Sequence, residues 1–153
     1  IWAPLGGQEM EVARQDLSGP SSQRMSKQRS QDTKPEVELR RLLHARGFRY
    51  RIHTRPLPRF NRTADLVFRG PQVAVFVDGC FWHGCERHYT QPKTNSEFWI
   101  DKIRENQTRD AQTDRVLGEA GWEVVRVWEH ENLGEAADRV AKAIQRRRVD
   151  LCA

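Results

Sequence analysis

Little in this sequence could cross a membrane or be cross-linked by disulfides. Its longest apolar run is Val73–Val77, far short of the roughly 20 residues that a membrane-spanning helix requires, so no membrane partner is expected. No charged-then-apolar leader opens the chain, and the cytoplasm is the expected location. Cysteine is scarce: Cys80, Cys85 and Cys152 make three, and an odd count favours thiolate or metal chemistry over a disulfide framework. Hydrophobic residues are few as well, at 37% of 153, which fits one domain with solvated ends better than two domains.

Charge is what the chain has in quantity. Charged residues make up 31%, and Lys plus Arg outnumber Asp plus Glu by 26 to 21, a formal net charge of +5. A basic domain attracts polyanions, and duplex DNA is the commonest of these in a cell.

Residues 1–31 carry Gly, Ser, Pro, Gln and scattered charge without periodicity, the pattern of a mostly disordered basic tail. The stretch Met25-Ser-Lys-Gln-Arg-Ser30 within it is basic enough to order on DNA. A folded domain is expected over residues 32–148, with a short tail at 149–153. Its first helix begins at Thr33-Lys-Pro-Glu36, where Thr33 can cap, Pro35 fits the first turn and Glu36 holds the capping-box position. Leu39, Leu42 and Leu43 form its apolar stripe, and Gly47 ends it. Phe48–His53 alternates as a half-buried strand does, and Ala64–Phe68 and Val73–Val77 read as a hairpin across Arg69-Gly-Pro-Gln72. A long helix is expected over Ser96–Ala120, a strand over Trp122–Trp128 and a last helix over Glu135–Arg147. The order α-β-β-β-α-β-α implies an α/β sandwich around a mixed central sheet.

The sharpest chemical cluster is Cys80-Phe-Trp-His-Gly-Cys85-Glu-Arg-His88. Cys80, Cys85 and His88 are close enough in sequence for one loop to wrap them around an ion. A tetrahedral zinc needs four nitrogen or sulfur ligands, and His83, His130 and Cys152 are the candidates for the fourth.

These residues also carry a family resemblance. The segments Met25–Glu36, Leu42–Arg51, Val75–His83, Pro92–Trp99, Lys102–Asp110 and Gly121–Glu129 resemble, in order and spacing, the very-short-patch-repair (Vsr) DNA mismatch endonucleases. The resemblance covers about residues 25–130. It implies a restriction-endonuclease-like (PD-(D/E)XK-related) α/β/α sandwich with a structural zinc loop, and a Mg²⁺-dependent nick at a T:G mismatch.

It also implies roles. Asp65 matches the carboxylate that holds the catalytic metal, and Val77 a position whose backbone carbonyl completes that coordination. His83 matches a histidine that positions or activates the attacking water, while Glu36 and Asp110 match acids around the active centre. Phe81, Trp82 and Trp99 match an aromatic wedge inserted beside the mismatch, with Met25 entering from the opposite groove and Lys27 and Arg29 beside it on the basic tail. Zinc ligands fall at Cys80, Cys85, His88 and His130, with His and Cys partly exchanged and the Cys85–His88 gap one residue longer than the family pattern.

Two departures stand out. Asp78 stands where better-known members have a second active-site histidine; an acid there can join Asp65 on the metal, or repel phosphate if unpaired. Arg59-Phe-Asn-Arg-Thr-Ala64 replaces a shorter Arg-Pro segment. The expected partner is double-stranded, mismatched DNA, bound by a monomer in the nucleoid alongside repair-pathway proteins. The rival readings are a related endonuclease cutting unmismatched or modified DNA, and an inactive zinc-stabilised DNA-binding module. The ordinary uses of the same residue types are capping for Glu36, a helix surface for Asp110 and core packing for the aromatics.

Overall fold

The computed structural model describes residues 31–153; the expected tail up to residue 30, with Met25, Lys27 and Arg29, lies outside the described residues. Helix α1 (Lys34–Ala45) is followed by strands β1 (Arg51–Thr54), β2 (Ala64–Phe68) and β3 (Val73–Asp78). Helix α2 (Ser96–Glu119), strand β4 (Glu123–Trp128) and helix α3 (Leu133–Cys152) complete the chain. The order along the chain is the one its periodicity implies.

The four strands lie in the order β1-β2-β3-β4. Pairs β1–β2 and β2–β3 are antiparallel hairpin partners. β3 and β4 run parallel, from Val73 opposite Glu123 to Asp78 opposite Trp128. A parallel pair needs a crossover, and α2 supplies it.

Strand alternation then fixes which residues face which helix. Leu66, Phe68, Val73, Val75 and Val127 pack with Leu39 and Leu43 of α1 and with Ala136, Val140 and Ile144 of α3. Val67, Ala74 and Trp122 pack on the other face with Leu117 of α2. Helices therefore cover both faces of a mixed sheet, the α/β arrangement that the order of elements implies. Among the described residues no helix is long and apolar enough to cross a membrane.

Three expectations need correction. The last helix does not stop at Arg147: it starts two residues early, capped by Asn132 whose side chain accepts from the Glu135 N–H, and runs to Cys152. Residues 149–152 are thus helix and not tail, since Arg147-Arg-Val-Asp-Leu-Cys152 contains no Gly or Pro to break it. The cap of α1 is shifted. The Thr33 hydroxyl donates to Glu36 Oε1 at 3.1 Å, and the N–H that Glu36 accepts belongs to Asp32, at 2.9 Å. Finally, β1 is short, and its facing is reversed at one end: Ile52 is 43% exposed, whereas the His53 side chain is 15% exposed. His53 has φ +47°, a left-handed conformation uncommon for a side-chain-bearing residue, and its ring lies among Asp32, Glu36 and Asp65.

Candidate active site

The β2–β3 ladder runs from Phe68 opposite Val73 to Leu66 opposite Val75 and goes no further. Just past its end a side chain substitutes for the missing backbone acceptor: Asp65 Oδ2 takes the Val77 N–H at 2.7 Å. That bond fixes the carboxylate at the mouth of the hairpin. Burial pushes the Asp65 carboxyl up to about 6, against the pull of the Val77 N–H, and the neighbouring Glu36 carboxylate adds to the rise. A carboxylate that resists ionising among other acids is a favourable place for a divalent cation, which restores the charge balance.

A residue that sequence reasoning missed completes this side. Ile52 pairs with Leu66 and Thr54 with Ala64, so the register draws His53 alongside Asp65. His53 Nδ1 lies 3.9 Å from Asp65 Oδ1, and its Nε2 lies 3.3 Å from Asp32 and 4.0 Å from Glu36. Asp32, Glu36 and His53 could together hold a metal ion.

Beyond β3 the second group gathers on the α2 face. His83 Nδ1 is hydrogen-bonded to Asp110 Oδ2 on α2, and its Nε2 lies 3.7 Å from Asp78 Oδ1. Burial lowers the proton affinity of His83, but the Asp110 bond and the Asp78 charge outweigh it, and the ring is held above its ordinary value. Burial works upward on Asp110 too, yet His83 and Arg126 hold that carboxyl below the usual range. Asp78 is 5% exposed, and burial pushes it up against the pull of Arg126.

Asp78 is not left unpaired. Both its oxygens lie 3.0 Å from Arg126 Nη1 of β4, so the acid faces a guanidinium rather than open space. Asp78, His83, Asp110 and Arg126 line one open groove that continues past Trp128 to His130.

The loop after β3 is pinned by three hydrogen bonds, one at the end of β4 and two from α2. The Cys80 N–H donates to Glu129 Oε1 at 2.8 Å, Asn106 Nδ2 to the Trp82 carbonyl at 2.9 Å and Gln107 Nε2 to the His83 carbonyl at 3.1 Å. Gly84 sits at φ +62°, and a Cβ there would come within 2.8 Å of Ile103 and Gln107. Only glycine lets the loop approach α2 this closely between His83 and Cys85.

Cys80, Cys85, His88 and His130 converge as a set of possible metal ligands. Cys80 Sγ lies 3.0 Å from His130 Nδ1, and Cys85 Sγ lies 3.7 Å from Nδ1 of both His88 and His130. A tetrahedral ion with sulfur at ~2.3 Å and nitrogen at ~2.0–2.1 Å separates such atoms by ~3.5 Å, so the donor atoms fit one such ion. Burial beside Cys85 pushes the Cys80 thiol up to about 12, a rise that a bound cation would offset. His83 stays outside this set, and Cys152 is exposed at the end of α3.

The three aromatics of the expected wedge stand together. Ring centroids of Phe81 are 5.4 Å from Trp82 and 5.5 Å from Trp99, and Trp82 is 5.8 Å from Trp99. All three remain partly exposed, so they pack on one another and still offer an apolar edge.

The signal for the missed residues was weak but present. Arg126 interrupts an apolar strand, Val124-Val-Arg-Val-Trp128, and Asn106, Asp110 and Asp114 recur every fourth residue on one face of α2. Asp32 and His53 had no such pattern; only the fold joins them to Asp65.

The family model described as DNA mismatch endonuclease Vsr matches residues 18–89. The Type II nicking enzyme V.NaeI of Lentzea aerocolonigenes is 42% identical over 138 residues, covering 84% of this chain and 78% of that one. The Type II nicking enzyme V.XorIIP of Xanthomonas oryzae is 41% identical over 108 residues, 70% of this chain and 77% of that one. The DNA mismatch endonuclease Vsr of Escherichia coli is 36% identical over 101 residues, 65% of this chain and 63% of that one. With its site assembled as above and relatives that match most of its length, this chain belongs to the Vsr family of DNA endonucleases.

Proposed function

We propose that this protein is a Mg²⁺-dependent endonuclease that nicks one strand of duplex DNA at T:G mismatches, in very short patch repair, on a restriction-endonuclease-like scaffold carrying a structural zinc. The observation that supports it most is the joint placement of two groups around the end of β3. Asp65 is bound to the Val77 N–H on one side, and the His83–Asp110 pair stands just beyond Asp78 on the other.

In this reading Asp65 and the Val77 carbonyl hold a magnesium ion, whose contribution is Lewis acidity toward the scissile phosphate. Oxygen donors are the right kind for that ion. Asp110 fixes Nδ1 of His83 and leaves Nε2 to the substrate. His83, whose proton affinity its acidic neighbours raise, is placed to position or activate the attacking water. Glu36 adds negative charge beside Asp65 and closes the first turn of α1, so its capping role and its place by the active centre are compatible. Phe81, Trp82 and Trp99 replace base stacking lost at a mismatched step, which is the cheapest step to open. Zinc on Cys80, Cys85, His88 and His130 holds the loop that presents them, and the basic tail with Met25, Lys27 and Arg29 adds contacts to DNA. The enzyme acts as a monomer in the cytoplasm.

The test uses the protein and its Asp65→Ala variant with Mg²⁺ and duplexes that differ only in T:A, C:G or T:G at one site. A nick confined to one strand of the T:G duplex, and lost in the variant, is the expected result. Equal cutting of all three duplexes would replace this reading with cleavage of unmismatched DNA.

A further inference from the structure

Arg126 is used by none of the roles above, yet it is the cation on which the groove's acids converge. Its Nη1 faces both oxygens of Asp78 at 3.0 Å. Its Nε reaches both oxygens of Asp114 at 3.0 Å, and its Nη2 reaches the Asp110 carbonyl at 3.3 Å. Nη1 also lies 3.6 Å from the Asp110 carboxylate. The guanidinium stacks over Phe76, its neighbour across the β3–β4 pair, 4.7 Å from the ring centroid. One side chain thus ties the end of β3, the middle of β4 and two turns of α2.

Stability alone is a poor reason for this arrangement. Buried ion pairs stabilise little more than apolar residues of the same size, and the neighbouring positions of β4 are Val124, Val125 and Val127. The partners say more. Two of the three carboxylates, Asp78 and Asp110, are also the two that touch His83. Three carboxylates with no cation among them would repel a phosphate strongly, and Arg126 offsets part of that charge at the point where they meet. The planar fork holds both Asp78 oxygens and the Asp114 carboxylate in set directions, which an ammonium could not do.

We propose that Arg126 is a positioning residue of the endonuclease site: it neutralises Asp78, fixes the segment of α2 that carries Asp110, and so sets the direction of His83 toward the scissile phosphate. The proposal rests on the nicking reading given above for its effect on rate, but its effect on His83 is independent of it.

Two readouts decide it. The first is the ¹H–¹⁵N signal of the His83 imidazole in the DNA-free protein, which reports the bond to Asp110. The second is the single-turnover nicking rate on the T:G duplex alongside the DNA dissociation constant. In Arg126→Gln the His83 signal should move, and nicking should slow ~100-fold while DNA affinity stays within ~3-fold, the split expected of a group that acts in the transition state. Arg126→Lys keeps the charge but not the fork and should recover only ~10-fold of the loss.

Arg126→Gln combined with Asp78→Asn removes the pair together, leaves no buried charge unpaired and should nick ~10-fold faster than Arg126→Gln alone. If Arg126→Gln does not fold, Arg126→Lys takes its place and should nick ~10-fold slower than wild type with a moved His83 signal; a wild-type rate or an unmoved signal in it overturns the proposal. The proposal is overturned by an unmoved His83 signal, by a wild-type rate in Arg126→Gln, or by a folded double variant that nicks no faster than the single one. A wild-type protein that nicks no duplex would remove the nicking reading instead, and the His83 signal would still judge Arg126.

Discussion

Two ligand-rich centres lie at the same end of the sheet, and they are built from opposite chemistry. One is sulfur and nitrogen: Cys80, Cys85, His88 and His130, with both thiols buried and the donor atoms within bonding range of a single centre. The other is oxygen: Asp65 with Glu36 and Asp32 near it, and Asp78 and Asp110 across β3. Soft donors in a closed set favour an ion that stays, and hard donors in an open groove favour an ion that shares its coordination with water and phosphate. The loop from Cys80 to His88 separates the two, and His83, in its middle, belongs to the oxygen side. One short loop thus carries donors of both kinds, soft at its two ends and an imidazole among the oxygens in its middle.

The comparison breaks most sharply at Asp65. Asp65→Ala should reduce single-turnover nicking by about a thousandfold, equivalent to about 4 kcal/mol of barrier, while zinc content measured by elemental analysis stays at one ion per chain. Loss of zinc in that variant would mean that the two centres are not separate.

Cys85→Ser attacks the other side. Zinc should be lost, and the melting temperature followed by circular dichroism should fall by more than about 10 °C, because metal binding at such a site contributes directly to folding. A variant without zinc that melts as the wild type does would remove the structural role.

A smaller effect concerns pH. The Asp65 carboxyl titrates at about 6 in the folded, magnesium-free chain against 3.8 when unfolded. Its raised value means that the folded state binds the proton more tightly, so the contribution is fully present below 3.8 and is lost as pH rises through about 6. The magnesium-free protein, zinc retained, should therefore lose up to roughly 3 kcal/mol between pH 4 and pH 7 from this group. Asp65→Asn should abolish that slope in urea titrations made without chelator; an unchanged slope would assign it elsewhere.

The smallest effect is expected at the aromatic edge. Trp82→Ala should weaken binding to the T:G duplex about tenfold, or about 1.4 kcal/mol, and affect the matched duplex less. An equal loss on both would make Trp82 a packing residue of the loop and nothing more.

The elements of the fold were legible because they are written in local periods. The Leu39, Leu42, Leu43 stripe, the two runs of the hairpin and the long polar helix each occupy one contiguous stretch. The Cys80–His88 spacing pointed to residues that the fold does bring together, whereas Asp65 and His83 were singled out through the family resemblance and not through any local period. His53 was legible in neither way. Its alternating run pointed Ile52 inward, but Ile52 is exposed and His53, at positive φ, is the more buried of the two. Arg126 was visible as a charge in an apolar strand, but its partners lie 12, 16 and 48 residues away, and no local pattern reports contacts at that range. The end of α3 was missed because a run of arginines reads as a tail, although nothing in it stops a helix.

The crossover helix has a mechanical consequence. Trp99, in its first turn, touches the aromatic edge, Asp110 in its middle holds His83, and Leu117 near its end is buried against the sheet. From Trp99 to Leu117 there is no Gly or Pro to act as a joint, and Trp99 and Asp110 lie ~16 Å apart along one axis. With Ile103, Asn106, Thr113 and Leu117 buried along its length, the helix is one uninterrupted strut: it fixes the spacing between the aromatic edge and the carboxylate that holds His83, so neither can shift without the other.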